Sequence, residues 1–238
     1  ASWLDRLIPK RQRRIEQTNA QKQHDHEDAE EAWKQRKQEH DAAEEERRRL
    51  SQSLLAGEVD AMEEHWAGVI QAMEWPRETL ASFEFAESGY ALCLDVDLPE
   101  IEDLPFQEAM VPKRELKLKL RDRSSAQHRR DYMNHIHAIG FRLIGEAFAR
   151  LPTIRSVNFS GYSQRTDIAT GRVEDQYLLS ARVARLTWKE IDFQRVNAID
   201  LPECFTRFDT RRNMTKTGIF KPIAPFEIPT EATPEPGE

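Results

Sequence analysis

Residues 10–56 contain neither glycine nor proline, and this run decides much of the architecture. They are mainly Glu, Gln, Lys, Arg and Ala, which are good helix formers. Opposite charges four residues apart, such as Glu30 and Lys34, stabilise a solvated helix. The few apolar residues do not recur every 3.5 positions, so the pattern gives no support for a committed coiled coil. We therefore predict that residues 1–56 form a long charged helical stalk and that the hydrophobic core lies in the rest of the chain.

The pattern changes after Glu58, where apolar residues recur at intervals of three and four. This spacing predicts an amphipathic helix that ends before Trp75. Residues 80–87 and 90–98 alternate between apolar and polar side chains, with Ser-Gly between them. That alternation predicts an antiparallel hairpin with a half-buried second strand.

Residues 115–120 read ELKLKL and predict a third strand. Its leucines, Leu116, Leu118 and Leu120, are expected to point inward. A helix is predicted to start at Ser124 or Ser125, because serine is a favoured N-cap residue.

This helix is expected to run to about Arg150 and to carry a broad apolar stripe. Residues 154–164 and 174–185 then predict two strands joined by a polar turn that contains Thr170 and Gly171. The pattern as a whole predicts an α+β fold, in which a mixed or antiparallel sheet packs on a central amphipathic helix.

The domain boundaries follow from composition. Residues 57–226 are expected to form the globular domain behind the helical stalk. The chain from residue 222 onward is rich in proline and glutamate and is predicted to bury too little surface to order itself. Residues 227–238 are accordingly assigned to a disordered acidic tail.

The cysteine count indicates the compartment. Cys93 and Cys204 fall in no CxxC or Cys/His motif, so neither a disulfide framework nor a zinc site is predicted. The longest apolar runs are far shorter than the ~20 residues that cross a bilayer. We expect a cytoplasmic protein without a transmembrane segment. The abrupt start at Ala1 also suggests that an upstream module is missing.

Charge is distributed unevenly along the chain. Residues 58–108 carry a net charge of −13, whereas residues 109–221 carry +10, although the whole chain has only −7. The two segments are expected to neutralise each other in part. The alternative is a basic face that is left free for an acidic partner.

Two aspartates, Asp95 and Asp97, interrupt the apolar run of residues 90–98. Together with Glu115 and Lys117 they match the acid and Glu-x-Lys skeleton of many metal-dependent nucleases, in which carboxylates hold the metal and lysine stabilises developing charge. The simpler interpretation is that both aspartates face water on a half-buried strand.

Histidines form a second candidate cluster in the central helix. Asp131 and His135 are one turn apart, His128 lies nearby, and His137 falls at the edge of the apolar stripe. Metal ligands must converge, but these side chains point apart around the helix. We therefore expect His137 to be structural.

The predicted hairpin at residues 154–185 carries a third candidate site. Arg155, Arg165, Arg182 and Arg185 are expected to cluster there and would be the first candidates for contacts with nucleic-acid phosphates. The hairpin also carries Asn158 and Tyr162 on a strand that could present them to a ligand. The alternative is that Gly161 marks a β-bulge and that Tyr162 only covers the sheet edge.

Three sequence segments resemble a known family. They are LDVDLPEIEDLP (residues 94–105), FSGYSQRTDIATGRVEDQYLLSARVAR (residues 159–185) and MTKTGIFKPI (residues 214–223). Over residues 55–226 the chain resembles the carboxy-terminal region of a family of bacterial proteins of unknown function, related to regions found beside restriction-endonuclease-like proteins. The resemblance implies a small β-rich module before the charged helix, and it supplies no catalytic residues.

The sequence thus favours a bacterial binding or scaffolding module, with no catalytic, cofactor-binding or metal residue assigned. One alternative is a divergent metal-dependent nuclease built on Asp97, Glu115 and Lys117, with a role in phage defence. Another is self-association through residues 1–56. A protein partner or self-association through this helix is the expected interaction, and the case for nucleic acid rests on the four arginines.

Overall fold

The computed structural model describes residues 9–75, 79–112, 117–166 and 169–228. The chain divides into two units, Ala1–Gln52 and Ser53–Glu238. Helix α1, Pro9–Ala56, lies almost entirely in the first unit, and it confirms the predicted long helix. Its ion pairs run along the helix between residues three or four apart, as between Lys34 and Glu30 at 2.7 Å.

The second unit has an α+β fold, as the sequence predicts. Its helices and strands beyond α1 are α2 (Val59–Ala72), β1 (Ala81–Ala86), β2 (Ala91–Asp97), β3 (Gln107–Met110), β4 (Lys119–Asp122), α3 (Ser125–Arg150), β5 (Ser156–Thr166), β6 (Val173–Ala184), α4 (Arg185–Trp188), α5 (Leu201–Cys204), β7 (Asp209–Met214) and β8 (Phe220–Lys221). Among the described residues, no helix is both long and apolar enough to cross a membrane.

The main sheet has the strand order β1-β2-β5-β6-β7-β8. Strands β2 and β5 are parallel and the other neighbours are antiparallel. The parallel pair requires a crossover, and α3 lies in that connection. The mixed sheet therefore agrees with the predicted fold class.

The core lies between α3 and one face of this sheet. Gly140 of α3 approaches Phe159 of β5 so closely that a Cβ atom would lie 3.2 Å from its ring. Met62 and Trp66 of α2 are fully buried as well. The helix α3 begins where the sequence predicts, because the Ser124 hydroxyl accepts a hydrogen bond from the backbone N–H of Gln127.

The predicted third strand does not join this sheet. Strand β4 pairs with β3, and within the part of the chain that the structure describes the two strands form a ribbon separate from the main sheet. Leu118 and Leu120 are 69% and 64% exposed, so the prediction that they point inward is wrong. Leu116 lies outside the described residues. Alternation indicated an extended chain here, but the main sheet takes β5 as the neighbour of β2 and leaves the ribbon outside the core.

Candidate functional site on the polar face of the sheet

The sheet face opposite α3 carries a row of polar side chains. Because paired residues on neighbouring strands share a face, the register places many of them together. On β2, β5 and β6 they include Cys93, Asp95, Asp97, Asn158, Ser160, Tyr162, Tyr177, Ser180 and Arg182. Of the candidate residues singled out in the sequence, Asp95, Asp97, Asn158, Tyr162 and Arg182 lie on this polar face.

Residues 222–228, here called the C-terminal strap, cross the middle of the polar face. The backbone N–H of Phe226 donates to the Ser180 hydroxyl at 3.0 Å, and that of Ile223 donates to the Tyr177 carbonyl at 2.9 Å. The expectation of disorder is therefore wrong for residues 222–228, because one apolar ring anchors a segment of otherwise disorder-prone composition. Residues 229–238 lie outside the described residues.

The ring of Phe226 is held between two cations. The guanidinium carbons of Arg182 and Arg211 lie 4.4 and 4.1 Å from its centroid. The same arginines donate to strap carbonyls, Arg182 to Glu227 at 3.1 Å and Arg211 to Pro225 at 2.9 Å. Phe226 is only 9% exposed, so stacking and burial together fix the strap on the sheet.

Asp95 is more sheltered than the sequence indicates. One carboxylate oxygen accepts a hydrogen bond from the Tyr177 hydroxyl at 3.1 Å, and the other is buried without a partner among the described residues. Burial raises the pKa of Asp95, while the bond from Tyr177 acts in the opposite direction. Burial, followed by the neighbouring Asp95 charge, raises the pKa of Tyr177 to about 12.

A small cavity of about 140 Å³ lies beside Asp95 and under the strap. Within it the Asn158 amide donates to the sulfur of Cys93 at 3.5 Å. Burial raises the pKa of Cys93, so the sulfur is a thiol at neutral pH and a poor nucleophile. Cys93 is 5% exposed and one oxygen of Asp95 is buried, so the expectation that Asp95 simply faces water is wrong. The reason is that the strap covers the second face of the strand.

The structure leaves the nuclease hypothesis as a prediction. Glu115 lies outside the described residues, so its distance from Asp97 is not defined. Asp97 ends β2 and is half-buried, and Lys117 is exposed just before β4. Within the described ranges, no three His, Cys, Asp or Glu side chains lie close enough to hold a metal ion together.

His137 occupies a structural position in the core. It is fully buried, and its Nδ1 lies 2.7 Å from the Met133 carbonyl while Arg212 donates to its Nε2 at 2.8 Å. Burial lowers the pKa of His137 to about 4, so the ring is neutral at pH 7. A neutral ring with Nδ1–H donating and Nε2 accepting satisfies both contacts. Arg212 could not be paired with His137 from the sequence, because 75 residues separate them.

The other members of the histidine cluster have separate partners. The His128 Nε2 atom lies 3.2 Å from the Leu104 carbonyl. Asp131 pairs with Arg123 at 3.0 Å, and burial lowers the pKa of His135. These contacts hold the start of α3 against the preceding loop.

The four arginines do not form one surface. Arg155 and Arg165 lie at opposite ends of β5, ten residues and therefore roughly 33 Å apart. Arg155 stacks over the Tyr90 ring at 4.1 Å, and Arg182 is held by the strap. Arg185 donates to three backbone carbonyls, including Phe148 at 2.9 Å and Ile154 at 2.7 Å. The expected cluster of four is therefore wrong, because Arg165 lies at the far end of β5 and local carbonyls and rings hold Arg155, Arg182 and Arg185 individually.

Comparison with protein-family models, curated proteins and solved structures found no match to this chain.

Proposed function

We propose that this chain is a binding or scaffolding module whose β3–β4 ribbon docks a partner protein. The exposed apolar surface of the ribbon carries the proposal. Leu118, Leu120 and Val111 are 69%, 64% and 60% exposed. Apolar side chains that lie next to one another on a protein surface are typical of interaction sites.

In the register of the ribbon, Leu120 pairs with Ala109. Val111 follows β3 directly and Leu118 directly precedes β4, and the two-residue alternation of an extended chain would bring both side chains to the same side. We call these four residues the apolar ribbon face. The pairs Glu108–Arg121 and Met110–Lys119 lie on the opposite side.

An isolated two-stranded ribbon is marginally stable in water, so a covering surface would stabilise it. A protein surface suits the face better than an anionic membrane, because residues 100–123 around it carry six acids and six bases and so have no net positive charge to attract an anionic surface.

The polar residues that could serve chemistry support the same proposal, because they hold the fold. His137 and Arg185 are satisfied by internal partners, and Tyr177 holds one oxygen of Asp95. The two cysteines are free and buried, which fits the reducing cytoplasm as the compartment of the proposed module.

Site-specific photo-crosslinking in the native host tests the proposal. A benzophenone amino acid at position 120 should trap a discrete protein adduct, and the same probe at position 119, on the other side of the ribbon, should not. Adding Leu118→Lys to the position-120 probe should abolish the adduct. Equal adducts from both positions, or adducts with nucleic acid alone, would overturn the proposal.

A further inference from the structure

An aromatic groove lies on a different part of the globular unit from the apolar ribbon face. It is a cavity of about 510 Å³ between the C-terminal half of α3 and the segment that begins with α4. The residues that line it include Phe141, Arg142, Gly145, Glu146, Phe148, Arg185, Trp188, Lys189 and Phe193. We call this surface the aromatic groove.

Trp188 is the centre of the groove. Its ring lies 4.7 Å from Phe141 and 5.5 Å from Phe193, measured between centroids. Gly145 gives the indole its place, because a Cβ atom there would lie 3.3 Å from Trp188 Cζ2. Trp188 is 5% exposed and Phe193 is 47% exposed. The buried Trp188 ring therefore forms the floor of the groove, and the exposed Phe193 ring forms one of its sides.

Positive charge surrounds this apolar floor. Arg142 donates to the Glu74 carbonyl at 2.8 Å and stacks on Trp75, while Arg185 donates to carbonyls of the α3 terminus. The hydrogen-bond acceptors of both arginines among the described residues are neutral carbonyls, so these bonds do not neutralise either charge. Lys189 adds a third, exposed cation.

Negative charge in the groove is small by comparison. The lining contains one carboxylate, Glu146, and Arg150 pairs with it at 3.4 Å. The described lining is therefore apolar at its floor and basic at its rim.

We propose that the aromatic groove binds an acidic segment of a partner protein that carries an aromatic or large aliphatic anchor. The anchor would pack against Phe193 over the floor formed by Trp188. A carboxylate beside it would meet Arg142, whose planar guanidinium suits bidentate contacts, and a second would meet Lys189. This inference goes beyond the proposed function, because it gives the module a second docking surface and hence the means to hold two partners.

A single-stranded nucleic acid is the other class of partner that combines basic and aromatic groups. The groove suits it less well, because stacking of bases needs exposed ring faces. Trp188 is almost fully covered, and its ring is tilted by 47° and 46° from those of Phe141 and Phe193. The net charge of −7 also disfavours a polyanion as long as a nucleic acid.

Fluorescence anisotropy on the full chain tests the inference. The probe is a fluorescein-labelled peptide of about twelve residues, in which one phenylalanine and one leucine lie among glutamates and aspartates. We expect saturable binding that weakens about five- to tenfold in Lys189→Glu and in Phe193→Ala, because each loses one contact. The matched control Lys221→Glu reverses an exposed lysine on β8 and should bind as the wild type does.

Three further probes decide among occupants. A peptide with the same anchors and glutamines in place of the acids should bind at least fivefold more weakly, and a peptide without the anchors should not bind. Equal binding of the glutamine peptide would overturn the acidic occupant. Displacement of the acidic peptide by an oligothymidylate, or no binding of the acidic peptide, would overturn the inference. None of these results changes the expected cross-link from the apolar ribbon face, so the two proposals fail separately. Circular dichroism melting checks that both variants fold, and Phe193 is exposed enough for its truncation to be tolerated.

Discussion

Truncation of Phe226 to alanine should destabilise the globular unit by about 3 kcal/mol. A buried phenylalanine replaced by alanine costs about 3–5 kcal/mol in protein cores. We expect a cost at the lower end of this range for Phe226, because the strap lies at the surface and can shift to fill part of the cavity that the missing ring would leave. This cost includes the contacts with the guanidinium groups of Arg182 and Arg211, at 4.4 and 4.1 Å, which contribute about 0.5–1 kcal/mol each.

The free energy of unfolding, measured by urea denaturation with near-ultraviolet circular dichroism as the signal, gives this cost. Hydrogen exchange at the Phe226 amide, which donates to Ser180, should accelerate in the Arg211→Met variant, because one stacking partner is lost. The neighbouring exposed residue Glu227 offers a matched control, and Glu227→Ala should change stability by less than about 0.5 kcal/mol. A loss below about 1 kcal/mol for Phe226→Ala would refute the idea that the strap is anchored by its ring.

Three further predictions concern pH, catalysis and assembly. Burial lowers the folded-state pKa of His137 to about 4. Between pH 6.5 and 4 the unfolded state therefore binds more protons than the folded state. The free energy of unfolding should fall by about 3 kcal/mol as the pH decreases through that window. His137→Gln should remove this part of the slope, measured by urea denaturation at each pH; an identical slope would contradict the assignment. The purified protein should not cut DNA in the presence of Mg²⁺ or Mn²⁺. If it does cut, the double variant Asp97→Ala and Lys117→Ala shows whether these residues are responsible, because cleavage that persists in this variant comes from another site. Light scattering should give the mass of a monomer both for the full chain and for the chain without residues 1–56. The reason is that charged residues of α1 pair within the helix, as Arg48 does with Glu45. An oligomer that disappears when residues 1–56 are deleted would support self-association through this helix instead.

Periodicity in the sequence predicts the elements that bury one face. The apolar stripe and the Ser124 cap locate α3, and the alternation of residues 90–98 locates β2. These signals are local, since each depends on the spacing of residues within one element. They give the fold class because the elements that they identify have few ways to pack.

The burial of one segment by another that is distant in the sequence could not be predicted in the same way. The alternation at Leu118 and Leu120 reports an extended chain, but which side becomes buried depends on the sheet that it joins. Asp95 was expected to face water because nothing near it in sequence indicates that the strap returns 130 residues later to cover that face. The buried ring of Phe226 orders the strap although the composition of this segment is typical of disorder. An average over the composition of a segment does not show the effect of one such residue.

The candidate sites show the same limit. Arg155 and Arg185 are close to each other because the backbone N–H of Arg185 donates to the Arg155 carbonyl at 2.8 Å, yet their side chains have unrelated partners. Sequence spacing places basic residues on one hairpin but does not show which carbonyls or rings are near enough to engage them. The aromatic groove was missed for a related reason, since Phe141 and Trp188 come from elements far apart in the chain.

Calorimetric titration of the partner trapped at position 120 tests the central claim most directly. If the apolar ribbon face is the docking surface, the double variant Leu118→Lys and Leu120→Lys should bind that partner roughly a hundredfold or more weakly, because burying each leucine contributes about 1.5–3 kcal/mol. The control Lys119→Ala, on the opposite side of the ribbon, should bind with nearly wild-type affinity. Equal affinity of the double variant and the wild type would show that the ribbon is not where this module binds.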